Sequence, residues 1–497
     1  MLKRRILKAL IPVTVLLAVA LFGAGRASAS PVLGITTTPS LYPSFSPSVS
    51  DYVTRCLPST PVSVSVQVPL GMEVSVDGQL GHMTSFSTSV NVSTGQGFDV
   101  TEIGLANLSL NTFYIRCLPT DYPNFTSQKL GTPQAAFYVV KPSTLALFGP
   151  NPPLQYVTIF DNQGVPVWWL PDGGGFDAGI LRNGNITSIV NRTHPQIEVH
   201  NLNGQLVAGL DAVNEGSSTA FYAADGHDVQ LLPNGDYLFG EIQTSQGNLS
   251  FMGGPSNATI SDQVLEEETP TGQLVWHWDI GQHIPLTCAD PPFYASDLNP
   301  QGLALAPGTD IYHWNSIEEI GNNILISLRN CDALFLINKT TGNIVWKLGG
   351  THTPQSLTII GDPDGGNTSG QHFARFYGGT TTQVTAHDNG TLAGRGPRGV
   401  RWVISLAHRT ATMVESINDP SVAFSACCGS AMKLPGGDWV ASWGFTPTVE
   451  ELNPGGVRQF LLQWTDPGVF SYRAEPVLPG MLTLPQLRTA MNIQYPR

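Results

Sequence analysis

Residues Val62 to Val68 alternate strictly between valine and a polar residue, the pattern of a strand with one face buried. Met72 to Val76 alternates again and runs into Asp77-Gly78, a hairpin turn signal. Further short strands fit Phe86 to Val92, Phe98 to Ile103 and Thr112 to Cys117. Short strands at this close spacing over residues 30–140 predict a small N-terminal β-sandwich. No residue cluster in that region suggests chemistry, so its expected role is that of a scaffold or docking module.

The texture changes near residue 141. All 10 tryptophans lie between Trp168 and Trp464, and a repeat emerges. One half of each unit is strand, tight turn, strand, as in Leu181-Arg-Asn-Gly-Asn-Ile186, Leu232-Pro-Asn-Gly-Asp-Tyr237 and Leu434-Pro-Gly-Gly-Asp-Trp439. The other half is a hairpin whose turn ends in glycine, as in Val264 to Trp278 or Leu334 to Trp346. Together they make a four-stranded antiparallel sheet. The spacing of these turns predicts six units over 141–497, with an insertion near Ile280 to Asp310 in the longest gap. Radial repetition of four-stranded sheets protects their edges. The predicted fold is therefore all-β: a six-bladed β-propeller preceded by the sandwich, with strands after Phe470 completing the first blade.

Composition narrows the function. Charged residues are only 12%, while Gly 52 and Pro 38 of 497 residues point to frequent turns rather than helical bundles. A net charge of −13 argues against a general nucleic-acid binder. No Walker-type phosphate loop or dinucleotide fingerprint occurs. Residues 1–29 read as a secretory signal peptide: Lys3, Arg4, Arg5 and Lys8, then an apolar run, then Ala27-Ser28-Ala29. Export implies a periplasmic, secreted or cell-surface protein and permits disulfides. Cys56 and Cys117 share the context Arg-Cys-Leu-Pro and are expected to pair; Cys288, Cys331, Cys427 and Cys428 leave three pairings open. Ten glycosylation sequons occur, among them Asn91, Asn185 and Asn389.

Three histidines hold equivalent places in successive units. His227 precedes an inner strand in Gly-His-Asp-Val, His313 does so in Tyr-His-Trp-Asn-Ser, and His372 in Gln-His-Phe-Ala-Arg. Arg329 follows the second strand of the His313 unit. Inner positions of a propeller converge on its axis, so the four predict one axial site.

From about 225 to 445 the chain resembles the bacterial aryl-sulfate sulfotransferase (arylsulfotransferase) family. The resemblance rests on an ordered series: His227-Asp-Val with Leu-Pro-Asn-Gly235; Tyr312-His-Trp-Asn-Ser-Ile; Ile-Ser-Leu-Arg-Asn330 with Trp346-Lys-Leu-Gly-Gly; Gln371-His-x-Ala-Arg; His387-Asp-Asn-Gly; and Leu434-Pro-Gly-Gly-Asp with Ser442-Trp-Gly. It implies a six-bladed propeller with a small N-terminal β domain. It also implies nucleotide-independent transfer of a sulfuryl group from a phenolic sulfate ester to a phenol, by a ping-pong route through a sulfohistidine. His372 matches the nucleophile, and His227, His313 and Arg329 the sulfate-binding and acid/base positions. His313 is expected to take the acid/base task ahead of His227. The implied partners are a small-molecule phenolic sulfate donor and a phenol acceptor, with no nucleotide, nucleic acid, metal or other cofactor.

Two positions depart from the family pattern: Phe373, where a small or acidic residue is common, and His387, expected at the surface. Tyr312, Trp314, Phe373 and Tyr377 fit either an aromatic slot or blade packing. Asp362-Pro-Asp-Gly-Gly-Asn367 reads as a loop turn rather than a calcium loop, and Glu266-Glu267-Glu268 as a solvated strand edge. Two alternatives compete with the enzyme. One is a metal-dependent propeller hydrolase. The other is a non-catalytic secreted propeller that binds anions, glycans or a partner protein.

Overall fold

The computed structural model describes residues 32–144, 155–172, 175, 177–190, 196–212, 222–288, 308–366 and 368–497. The expected signal peptide lies outside them. The described chain is nearly all β.

The N-terminal region forms two sheets. One holds Gly34–Thr38, Val62–Gln67 and Phe86–Val90; the other holds Leu41–Tyr42, Asp51–Arg55, Leu110–Leu118, Gly97–Gly104 and Met72–Val76. Val62, Val64 and Val66 are buried while Ser63, Ser65 and Gln67 are exposed, as the alternation requires. Inward residues of both sheets share one apolar cluster, and the Cys56–Cys117 disulfide ties Asp51–Arg55 to Leu110–Leu118.

Six further sheets follow, each built mainly from sequence-adjacent antiparallel strands. The first combines Phe137–Ser143, Gln155–Asp161 and Pro166–Asp172 with Phe470–Val477, so the end of the chain does complete the first sheet. The second runs from Ala178–Ile180 to Leu206–Leu210. The third runs from Tyr222–Leu231 to Leu274–Asp279, and the fourth from Trp314–Ile320 to Ile344–Gly349. The fifth starts with His372–Tyr377 and ends with Thr410–Ile417, flanked by Thr358–Ile360. The sixth, Ser430–Lys433 to Arg458–Trp464, takes Phe125–Lys129 as its outer strand. Thus Phe125–Lys129, which precedes residue 141, and Phe137–Ser143, which straddles it, pair with strands of the second region. The leading strands of the third to sixth sheets neighbour one another in chain order, and Ser430–Lys433 neighbours Phe470–Val477. Packed against one another, Trp314–Ile320 and His372–Tyr377 carry runs of buried residues on both faces.

The C-terminal helix Leu484–Gln494 is capped by Thr483, which accepts from the Gln486 N–H. It packs on Pro166–Asp172 and joins the two regions through Arg488, whose Nε lies 2.7 Å from an Asp51 oxygen.

Two expectations are corrected. Glu266, Glu267 and Glu268 do not form a solvated edge. Their strand, Ala258–Glu268, lies between Tyr237–Gly247 and Leu274–Asp279, and all three side chains are buried. Glu267 ion-pairs with Lys339, and burial, with Glu266 and Asp211 nearby, pushes the Glu268 carboxyl up to about 8. His387 is fully buried rather than at the surface, 5.8 Å from the Trp443 ring, and burial pushes it down to about 3. The 362–366 segment is a turn clamped by Arg398, which lies 2.9 Å from Asp362 and 3.0 Å from Asp364.

Candidate active site

The three histidines meet. The His227 and His313 rings are 5.1 Å apart, and those of His313 and His372 are 6.4 Å apart. Each reaches this position by a local departure from regular strand. The register slips between Asp225 and Val229, a bulge that re-aims His227. His313 sits at φ 49°, just before Trp314–Ile320 begins. His372 opens its strand and is followed by Phe373 at φ 52°. Non-glycine residues adopt this left-handed region seldom, and such strain gathers at functional sites.

Arg329 opens a short 3-10 turn after Asn323–Leu328, and its backbone N–H donates to the His313 carbonyl at 3.0 Å. Its guanidinium donates to Asn330 Oδ1 at 2.8 Å and to the Ala426 carbonyl at 3.2 Å. The structure therefore brings together all four residues expected from the sequence.

The histidines are not equivalent. His227 Nδ1 is hydrogen-bonded to the Asp225 carboxylate, and His313 Nδ1 lies 2.5 Å from Asp310 Oδ2. Burial works against a charge on His227, but Asp225 and then Asp310 outweigh it and raise its pKa. His372 Nδ1 instead faces two neutral acceptors, the Gly370 carbonyl at 2.9 Å and Asn389 Oδ1 at 2.8 Å. Asn389 Nδ2 donates to Ser425 Oγ and to the Cys428 carbonyl, which leaves its oxygen for His372. Nδ1 therefore carries the proton. His372 Nε2 keeps its lone pair and accepts the Cys428 backbone N–H at 3.1 Å. Burial, then the charges of Arg329 and His313, hold the His372 pKa well below its ordinary value. The result is a neutral imidazole whose Nε2 lone pair faces a backbone donor, the chemical state a nucleophilic imidazole needs.

Several site groups were not singled out by sequence reasoning. Asp225 and Asp310 stand two and three residues before their histidines, a signal visible in retrospect. Asn389 was read as a glycosylation sequon, but it is fully buried and holds His372. Tyr472 packs against His227 at 5.9 Å and His372 at 6.2 Å; it comes from the last strand, about 100 residues from the nearest of them in sequence. Arg473 beside it pairs with Asp177 at 3.0 Å and Asp228 at 3.2 Å, and stacks over the Phe373 ring. Phe373 thus lies under Arg375 and Arg473 as packing, and Trp314 is likewise buried. Tyr312 is buried too, its hydroxyl bonded to the Ile284 carbonyl.

A cavity of about 190 Å³ adjoins the cluster, lined by Gly226, Asp228, Arg375, Arg473, Asp177 and Glu475 among others. None of the three histidines lines it. Of its arginines, Arg375 pairs with Asp228, Arg473 with Asp177 and Asp228, and Arg182 donates to the Leu232 carbonyl.

An arylsulfotransferase (ASST) family model matches residues 130–459, more than half of the chain, and the chain belongs to that family. No curated protein matches it. Among solved structures, a putative 6-phosphogluconolactonase from Bacteroides fragilis aligns at 8% identity and TM-score 0.33, over 85% of this chain and 99% of that one. A streptogramin B lyase aligns at 11% identity and TM-score 0.30, over 74% and 87%. A luciferin-regenerating enzyme aligns at 10% identity and TM-score 0.28, over 71% and 100%. Superpositions this loose carry no argument about activity.

Proposed function

We propose that this protein is an exported aryl-sulfate sulfotransferase that needs no nucleotide donor, and that its six later sheets are the blades of a closed propeller around the histidine cluster. The observation that carries the reading is the state of His372: buried, neutral, protonated on Nδ1, with Nε2 accepting the Cys428 N–H and the charges of Arg329 and His313 nearby. The three disulfides among the described residues support an oxidising compartment.

In the proposed reaction the His372 Nε2 lone pair attacks the sulfur of a phenolic sulfate ester. The bond from sulfur to the aryl oxygen breaks, and the sulfuryl group rests on Nε2. His313, backed by Asp310, gives its proton to the leaving phenolate. A second phenol then binds, His313 takes its hydroxyl proton, and the phenol oxygen attacks the sulfur, freeing His372. Nδ1 keeps its proton on Gly370 and Asn389 throughout. Arg329 and the His227 imidazolium stabilise the negative oxygens of the moving group. Aryl esters suit the site because phenolates leave more readily than alkoxides.

The test is release of 4-nitrophenol from its sulfate ester with and without phenol. Phenol-dependent release, lost by about 10⁴-fold or more in His372→Asn, is expected. Equal release without an acceptor would make the protein a hydrolase. No release from folded protein with several aryl sulfates would favour a binding module.

A further inference from the structure

Cys427 and Cys428 are bonded to each other, and the segment that carries them touches most of the proposed machinery. The Cys428 N–H donates to His372 Nε2, the nitrogen assigned the attack. The Cys428 carbonyl and Ser425 Oγ hold Asn389, which orients His372. The Ala426 carbonyl accepts from Arg329. The next residue, Gly429, donates its N–H to the Tyr472 carbonyl at 2.9 Å. Cys428 itself sits at φ 66°, a conformation a free non-glycine residue seldom keeps. A bond between adjacent cysteines closes a small ring through their shared peptide, and that peptide carries the N–H on His372.

We propose that the Cys427–Cys428 disulfide is a redox-sensitive clamp that positions the Cys428 N–H over the His372 nucleophile and thereby sets the rate of sulfuryl transfer. The inference rests on the function proposed above. Before attack the N–H fixes the orientation of the imidazole through Nε2, and that hydrogen bond breaks as the lone pair reaches sulfur. Once Nε2 bonds to sulfur its lone pair is consumed, and the N–H donates to a sulfuryl oxygen instead, as a fixed donor for developing charge. With the ring open, the peptide is free to turn and the donor is lost.

Cys427 is half-buried, whereas the other five cysteines are buried. A reductant therefore meets this bridge first. With a water-soluble phosphine, the S–S bond takes up two electrons and two protons to give two thiols. The phosphine becomes its oxide with an oxygen atom from water.

The experiment is a titration of the full protein with tris(2-carboxyethyl)phosphine, with each bridge followed by alkylation and peptide mass. Opening of Cys427–Cys428 should lower kcat by roughly ten- to a hundredfold, with the donor KM little changed, and reoxidation by oxidised glutathione should restore it. Cys427→Ser/Cys428→Ser should start at the lowered kcat, keep the wild-type melting temperature and ignore the reductant. Full activity with the bridge shown open, or wild-type kcat in the double variant, would overturn the clamp. A second readout does not need turnover: the ¹⁵N shift of His372 Nε2 should move when the bridge opens. An unmoved shift overturns the proposal. A wild type that moves its shift but transfers nothing would instead overturn the enzymatic reading.

Discussion

The histidine cluster has two unlike sides. On one, His227 and His313 are backed by carboxylates, Asp225 and Asp310. On the other, His372 is backed by a backbone carbonyl and an amide oxygen, and burial, then the charge of Arg329, hold its pKa down. In the proposed reaction the same side chain is thereby given opposite tasks. Asp225 behind His227 favours its charged form, which suits binding an anion. A neutral acceptor fixes the tautomer without favouring charge, which leaves a lone pair for nucleophilic attack. Three histidines at one repeat register thus differ through their partners.

Substitutions that disturb this division should act in a graded way. Short of replacing His372 itself, the largest effect expected is from Arg329→Gln, which removes the cation beside the proposed nucleophile: kcat should fall by about 10²- to 10³-fold, read in steady-state transfer assays. Asn389→Asp places a carboxylate behind His372 and so makes the two sides alike. Its imidazolium should persist toward neutral pH. Transfer at pH 7 should drop by about tenfold or more and recover as pH rises, in a pH–rate profile that the wild type lacks. Asp225→Asn acts on the opposite side. The raised His227 pKa keeps the imidazolium charged above the usual histidine range, so donor KM should rise only as pH climbs through that raised value. In the variant the rise should come at lower pH, with KM a few-fold higher at pH 7.

The smallest effect concerns a buried carboxylate outside the cluster. Glu268 is held protonated up to about 8 by its surroundings, whereas an unfolded glutamate ionises near 4.5. The folded state thus binds the extra proton, and stability falls as pH rises from about 4.5 to about 8. Glu268→Gln should flatten that fall and gain about 1 kcal/mol at alkaline pH, measured by urea unfolding.

The sequence made some elements legible because their burial is one-sided. Val62–Gln67 alternates, so its strand and its buried face could both be read. The repeat exposed the later sheets through their turns: Leu232 to Tyr237 and Leu434 to Trp439 are hairpin turns in the structure. The histidines were found because a repeat places equivalent residues at equivalent depth. What stayed hidden has no local signature. Phe125–Lys129 pairs with Arg458–Trp464, more than 300 residues on, and no pattern in either strand names the other. Glu266 to Glu268 read as solvated because three carboxylates in a row seldom enter a core. The strands on both sides and Lys339 accommodate them. Asn389 matched a glycosylation sequon, and only its depth and its bond to His372 reveal its part.

The central claim is that His372 differs in kind from its two neighbours and carries the sulfuryl group. The most direct measurement is to mix the protein with 4-nitrophenyl sulfate without any acceptor, quench within one turnover, and map the adduct by peptide mass. One sulfuryl group on His372, discharged on adding phenol and missing in His372→Asn, is the predicted result. An adduct on His227 or His313, or phenol-dependent turnover that persists in His372→Asn, would contradict the account.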